Sequence, residues 1–387
     1  MEPRQRVLTA LAHQEPDRVP IEFGSPALSS VLDRAPYGYR ALCAYLGISD
    51  YPEPERWSLH GCVSNVDPRI MERFGADLRW VFPGGPEVEA QPDGTLRDPT
   101  WGIFATPIGA FYTFEDAKAP LRNAVDRQDI EAHSWPDLTD PRISAGKREE
   151  ARRLQEAGYA VVSSPGGALQ IFHNYSFLRG FARWLMDMHE NPRFYHMFAE
   201  KILEVDIAYM EVFLPVVADY TDIVYMGDDL ATQNSSMMSL DDYRKFCKPY
   251  QKRWVEAVRR LVPRARILYH SCGSLYPMIP DLIDIGVDIL NPVQPRARNM
   301  EPWRIKKEFG DALSFLGGLD IQQLLPFGTP EEIRTGVRDL IDVYGPGGGY
   351  IFAPSLEILP EVKPENIVAM FGAALELGSY PLPTAAV

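Results

Sequence analysis

The sequence predicts an α/β fold, a (β/α)8 TIM barrel with an N-terminal insertion containing a β-hairpin. Three observations predict it. The chain has 387 residues, the length of one large barrel. Eight short β-branched or apolar runs recur along it, most of them followed by an amphipathic helical pattern. Polar and ionisable residues collect just past those runs, at the end where such a barrel keeps its chemistry. Residues 1–387 read as a single domain, with the insertion at about 33–145.

In chain order the candidate strands are Val19–Phe23, Asp77–Phe82, Ala160–Ser164, Asp222–Met226, Ile267–His270, Asp288–Leu290, Leu313–Leu316 and Tyr350–Ala353. Between the first and third, the regular alternation breaks. There Pro92-Asp93-Gly94 sits between alternating runs, a hairpin signal, and the insertion is expected to cover the barrel mouth. Phe194, Met197, Phe198 and Ile202 follow helical spacing and predict a core face. Ser239-Leu-Asp-Asp242 resembles a capping box before a helical pattern over Tyr243–Leu261, which Pro249 should kink or restart. Thr329-Pro330-Glu331-Glu332 puts Thr at N-cap, Pro at N1 and Glu at N3, and Gly345 ends that helix.

Hydrophobic residues at 45% and charged residues at 24% allow a sizeable core. Lys+Arg 39 against Asp+Glu 53 gives a net charge of −14, which argues against nucleic acid and anionic membrane surfaces as partners. The four cysteines, Cys43, Cys62, Cys247 and Cys272, are widely spaced with no CxxC pair, so no disulfide framework is expected. The charged start lacks an apolar signal-peptide core, and no apolar run is long enough to span a membrane. A reducing cytoplasm is the expected setting.

The predicted strand ends carry Glu22, Asp228-Asp229, His270-Ser271-Cys272, Gln294, Asp320 and Glu357. In extended chain, residues i and i+2 point the same way, so His270 and Cys272 would present an imidazole and a thiolate to one point. Those are preferred zinc ligands, and a catalytic site needs a third, available from Glu22, Asp228, Asp229 or Glu357. The plainer alternative makes His270 a hydrogen-bonding group and Cys272 a small buried hydrophobe. Asp228 and Asp229 would face opposite ways, so one enters the mouth to bind metal or substrate or act as a base. A helix cap or ion pair is the competing use. Gly317-Gly318 and Gly347-Gly348-Gly349 match neither a P-loop nor GxGxxG and read as turns. Trp80, Trp101 and Phe111 would stack on a ligand or pack within the insertion.

Together EPDRVPIEFG, WPD at Trp135–Asp137, GDDLATQ, the Ser-Leu-x-x-Tyr helix start, YHSCG, GVDILNPVQ, LSFLGGLD, FGTPEEIR and GGGYIFAPS…PENI resemble the uroporphyrinogen decarboxylase superfamily over nearly the whole chain. The resemblance implies a barrel with its active site in a deep cleft at the strand C-termini. It also implies one of two branches: cofactor-free decarboxylases, or zinc methyltransferases that work with corrinoid proteins. The decarboxylases carry an Arg-rich segment after the first strand, where this chain has Phe23-Gly24-Ser25-Pro26. They place a catalytic Asp where Asp77 stands, and a His where Leu356 stands. The zinc methyltransferases use a His-x-Cys pair, matched by His270-Ser-Cys272, and a distant Cys, also aligned with Leu356.

The resemblance therefore implies methyl transfer between a small methylated compound, such as a methoxylated one, or a thiol acceptor, and a corrinoid on a separate protein. His270, Cys272 and Glu357 would hold Zn2+. Asp229, Glu22 and Asp77 are the catalytic candidates; Asp228, Gln294, Asp320 and Trp101 are the substrate-binding ones. The corrinoid is expected to be external, because Asp187-Met-His189 lacks the Gly of a corrinoid-binding loop. A homodimer is expected. The alternative is a cofactor-free decarboxylase of a small carboxylate other than uroporphyrinogen.

Overall fold

The computed structural model describes residues 1–57, 59, 62–108, 111–165 and 171–382; the side chains of residues 56, 57, 111 and 112 lie outside what is described. Phe111, one of the aromatic residues expected to stack on a ligand, is among those four.

Seven strands form one parallel sheet: Leu78–Val81, Ala160–Ser163, Ile223–Gly227, Arg266–His270, Ile289–Asn291, Ser314–Leu319 and Tyr350–Pro354. Each pairs with its neighbour in chain order. The pairing is parallel throughout, as helical crossovers require. The remaining predicted strand, Val19–Phe23, joins the two edges. Ile21 makes a single parallel bridge to Ala76, just before Leu78–Val81, and another to Phe352 in Tyr350–Pro354. It forms no longer ladder for two reasons. Pro20 has no N–H to give, and the Ile21 N–H goes to the Asp77 carboxylate at 2.8 Å.

Alternation along the strands builds two cores. Leu78, Val162, Ile223, Leu268, Leu316 and Ile351 fill the barrel, joined by Val7 and Leu11 from the helix Pro3–Leu11. That helix closes the end from which the strands start. Each such side chain contributes roughly 1.5–3 kcal/mol by leaving water. The outward-facing set packs on the helices, including Pro192–Val217, which buries Phe194, Phe198 and Ile202.

The helix signals take the forms their chemistry dictates. Thr329 and Glu332 form a reciprocal capping box on Pro330–Tyr344, and Gly345 is its C-cap. The Ser239 hydroxyl accepts from the Asp242 N–H. A π-helical turn over Tyr243–Cys247 then precedes a restarted helix, Lys248–Leu261, with Pro249 in its first turn. In the insertion, Glu89–Ala90, Leu96–Asp98, Ile103–Ile108 and Phe111–Thr113 pair antiparallel in sequence. Trp101 belongs to this layer's core: it is 3% exposed and meets Trp135 edge-on at 6.3 Å. Its ring is spent on packing, contrary to the expectation that it binds substrate. Among the described residues no helix is long and apolar enough to cross a membrane.

Candidate active site

The strand C-termini Gly227, His270 and Asn291 lie side by side in register. The first residues past them form the site. The backbone is shaped for it by glycine. A Cβ on Gly227 would lie 2.6 Å from the Tyr225 Oη. Gly273 has φ +88°, and a Cβ there would meet the Thr232 carbonyl oxygen at 2.4 Å, so only glycine lets the chain turn after Cys272.

His270 and Cys272 point to one place, as alternation predicts: Cys272 Sγ lies 3.7 Å from His270 Nε2. The third group beside them is Asp229, whose Oδ1 is also 3.7 Å from His270 Nε2. One ligand atom from each of Asp229, His270 and Cys272 falls within 4.8 Å of the other two. Glu357, expected as the third ligand, stands outside that cluster, although its charge is felt at Cys272. Asp229 fills the position instead because Asp228 turns away: its Oδ1 accepts the N–H groups of Phe172 and His173 at 3.0 and 3.1 Å and so caps the helix Ile171–Arg179. Asp228 is a fully buried positioning group rather than a substrate contact.

The three donors fit zinc. Tetrahedral Zn with N, O and S ligands at about 2.0–2.3 Å has ligand–ligand separations of roughly 3.3–3.7 Å, close to the two 3.7 Å spacings here. Each donor is also held from behind. His270 Nδ1 donates to Asn291 Oδ1 at 2.5 Å, leaving Nε2 with its lone pair toward the cluster. Asn291 in turn donates to the Leu316 carbonyl at 3.0 Å. Asp229 Oδ1 accepts the Cys272 N–H at 2.7 Å. Gln294 donates Nε2 to Cys272 Sγ at 3.4 Å and accepts from the Gly273 N–H at 2.9 Å, so it belongs to the site.

Electrostatics match this arrangement. Burial opposes ionisation of Asp229, but the imidazoles of His173 and His270 prevail and hold it below the usual carboxylate range. Burial lowers His270, keeping it neutral as a ligand must be. Burial and the charges of Asp229 and Glu357 push the Cys272 thiol up.

Glu22 sits inside the barrel, 0% exposed, with Oε1 accepting the Trp80 indole N–H at 3.1 Å. Its Oε2 has no partner. Burial pushes its carboxyl up to about 7. Burial, with Asp229 adding to it, also pushes Glu357 up to about 7.

Two further expected site residues are spent on the scaffold. Asp77 begins its strand instead of ending it, so it lies at the closed end of the barrel. It is 1% exposed and bound to Arg6 at 2.5 Å and Arg18 at 2.9 Å, the position of a structural ion pair and not of a catalytic acid. Asp320 accepts the N–H groups of Gln322 and Leu324 at 2.8 and 3.2 Å and lies 3.6 Å from Arg296, so its carboxylate organises a turn in place of binding substrate. His173 was not foreseen. Its Nε2 lies 3.7 Å from Asp229 Oδ2 and its Nδ1 3.7 Å from Asp228 Oδ1, bracing both aspartates. It sits in the first turn of a helix, away from any strand end, so only its place shortly after the Ala160–Ser163 strand hinted at the mouth.

A family model described as Uroporphyrinogen decarboxylase (URO-D) matches residues 107–377. A uroporphyrinogen decarboxylase of Chlorobium phaeobacteroides is 28% identical over 185 residues, 46% of this chain and 48% of that protein. A methylated-thiol–coenzyme M methyltransferase of Methanosarcina mazei is 23% identical over 234 residues, 58% of this chain and 59% of that protein. The chain thus spans about half the length of the curated relatives it matches. A solved methyltransferase from Methanosarcina mazei aligns with a TM-score of 0.64 at 17% identity, covering 97% of this chain and 99% of that one. At that identity the likeness shows the fold, a TIM-like barrel.

Proposed function

Because the chain belongs to the uroporphyrinogen decarboxylase (URO-D) family, we propose that it is a methyltransferase of that family. It would move a methyl group between a small methylated compound, or a thiol acceptor, and a corrinoid carried on a separate protein. The observation that carries this reading is the Asp229–His270–Cys272 donor set at the strand C-termini. The relative named as a methyltransferase supports it as well.

Asp229, His270 and Cys272 would hold Zn2+. Bound there, zinc would supply a Lewis acid for the lone pair that methyl transfer frees or uses on the heteroatom. The protein's own groups do the rest. Asn291 and Gln294 orient His270 and Cys272. His173 braces Asp229. Glu22 and Glu357, both raised to about 7, are poised to give or take a proton near neutral pH. A homodimer and a cytoplasmic setting, in keeping with four free cysteines, complete the proposal.

The cofactor-free decarboxylase reading keeps the support of relatives that carry that name. It loses Asp77, the residue that recommended it, to the closed end of the barrel.

Zinc quantification on anaerobically purified protein tests the proposal. Wild type should carry stoichiometric zinc, and Cys272→Ala should lose it. Metal-free wild type that retains its fold would overturn the zinc-assisted mechanism.

A further inference from the structure

We propose that the mouth receives a cationic methyl donor, one whose methyl group sits on a quaternary ammonium centre. This rests on the methyl-transfer reading above and narrows its substrate.

The first observation is an aromatic wall. Trp80 and Phe82 are the partly buried side chains that pack on the barrel-filling core from the mouth side. Their rings stack at 5.7 Å and 12°. Tyr225 meets Trp80 edge-on at 5.3 Å. Aromatic faces carry negative charge density and attract weakly hydrated cations, Trp most strongly.

The second observation is a buried acid with an unused oxygen. Glu22 is fully buried beneath that wall, gives one oxygen to Trp80, and keeps Oε2 unpartnered. A buried carboxylate with an unused oxygen is costly unless a donor or a positive charge arrives. The Arg79 guanidinium acts on Glu22 through its charge. It is spent elsewhere, donating to the Ala76 and Leu78 carbonyls and lying 3.8 Å from the Tyr159 ring centroid. Across the mouth, the Asp229 carboxylate acts on Glu357 and raises it further.

These groups choose among methyl donors. An anionic donor is repelled. A neutral methyl ether gains nothing from two carboxylates. A primary ammonium carries three N–H groups, of which Glu22 Oε2 would take one while the ring faces serve the others poorly. A quaternary ammonium has no N–H, loses little hydration, and gains from the rings and the carboxylates together. The chemistry balances: the carbon–nitrogen bond breaks with its electron pair left on nitrogen, which departs as a neutral tertiary amine. The methyl carbon takes its new bond from the electron pair of the partner protein's reduced corrinoid, and no proton is required.

The test is calorimetric binding of choline and of its uncharged carbon isostere, 3,3-dimethylbutan-1-ol, to the full chain, with zinc measured on the same samples. The cation should bind at least about tenfold more tightly than the isostere. Trp80→Leu should remove most of that preference. Trp80→Phe, which preserves the packing, should reduce it and change the tryptophan fluorescence response to choline. Equal binding of the two probes, or a preference unchanged in both variants, overturns the proposal. Zinc-loaded protein without the preference would sink the substrate class and leave methyl transfer standing. Preference in metal-free protein would keep the cation site and remove the zinc mechanism.

Discussion

At the closed end of the barrel, Asp77 and Asp222 are buried and each is met by arginine: Asp77 by Arg6 and Arg18, Asp222 by Arg4 at 2.9 Å. At the mouth, Glu22 keeps an oxygen with no partner, and Glu357 is raised by another carboxylate, Asp229. All four are carboxylates; Asp77, Asp222 and Glu22 are buried and Glu357 is half-buried. What differs is whether the fold supplies the counter-charge. One end uses its acids to fasten the N-terminal helix and the strand starts, and the other holds them in reserve for something that binds. This is the division a barrel of this kind makes between stability at one end and chemistry at the other.

The contrast can be broken or sharpened by substitution. Asp77→Asn should cost the most, about 3–5 kcal/mol in urea unfolding, because it leaves two guanidiniums beside a neutral group in a buried pocket. Zinc per folded chain should stay unchanged; its loss would show that the two ends are not separate in function. At the mouth, Asn291→Ala should weaken zinc binding about 10–100-fold in a chelator competition, because it frees the His270 ring, while leaving urea stability nearly intact.

Glu22→Gln should do the reverse of Asp77→Asn. The Glu22 carboxyl titrates at about 7 when folded against an ordinary 4.5, so the folded state holds a proton that the unfolded state has released between those values. Its contribution to stability therefore worsens as pH rises from 4.5 to 7 and is constant above. The variant should be roughly 1–3 kcal/mol more stable than wild type at pH 8, and the gain should vanish near pH 4.5. A loss of stability at pH 8 would mean that Glu22 is already paired. The smallest effect is expected for Asp320→Ala: about 1 kcal/mol for a lost turn-capping carboxylate, with unchanged choline affinity.

Much of this was legible in the chain because strand direction and side-chain alternation are properties of the sequence itself. Seven of the eight predicted runs became strands of the sheet, and the eighth became the link between its edges. The same alternation put His270 beside Cys272 and let only one of Asp228 and Asp229 into the mouth. The identity of the third donor was not legible. It depends on which aspartate the N-terminus of Ile171–Arg179 captures, a contact across 55–56 residues. Asp77 and Asp320 misled for a related reason. Each borders a strand, but a carboxylate's partners are fixed by what packs beside it, and both found theirs within the scaffold. Trp101 was drawn into the insertion's core by Trp135, a pairing that depends on how the insertion folds back.

The link between the sheet edges has a dynamic consequence. Elsewhere the staves of the barrel are joined by ladders, such as the five-residue register between Arg266–His270 and Ile223–Gly227. At Val19–Phe23 the joint is three main-chain bonds: Glu22 N–H to the Phe352 carbonyl, Phe352 N–H to that of Pro20, and Asp77 N–H to that of Ile21. Breathing should start at this seam, with those three amides exchanging with deuterated solvent ahead of the central strands. Glu22 rides on the least-fastened stave, so the carboxylate held in reserve at the mouth is also the one best placed to shift when a ligand arrives.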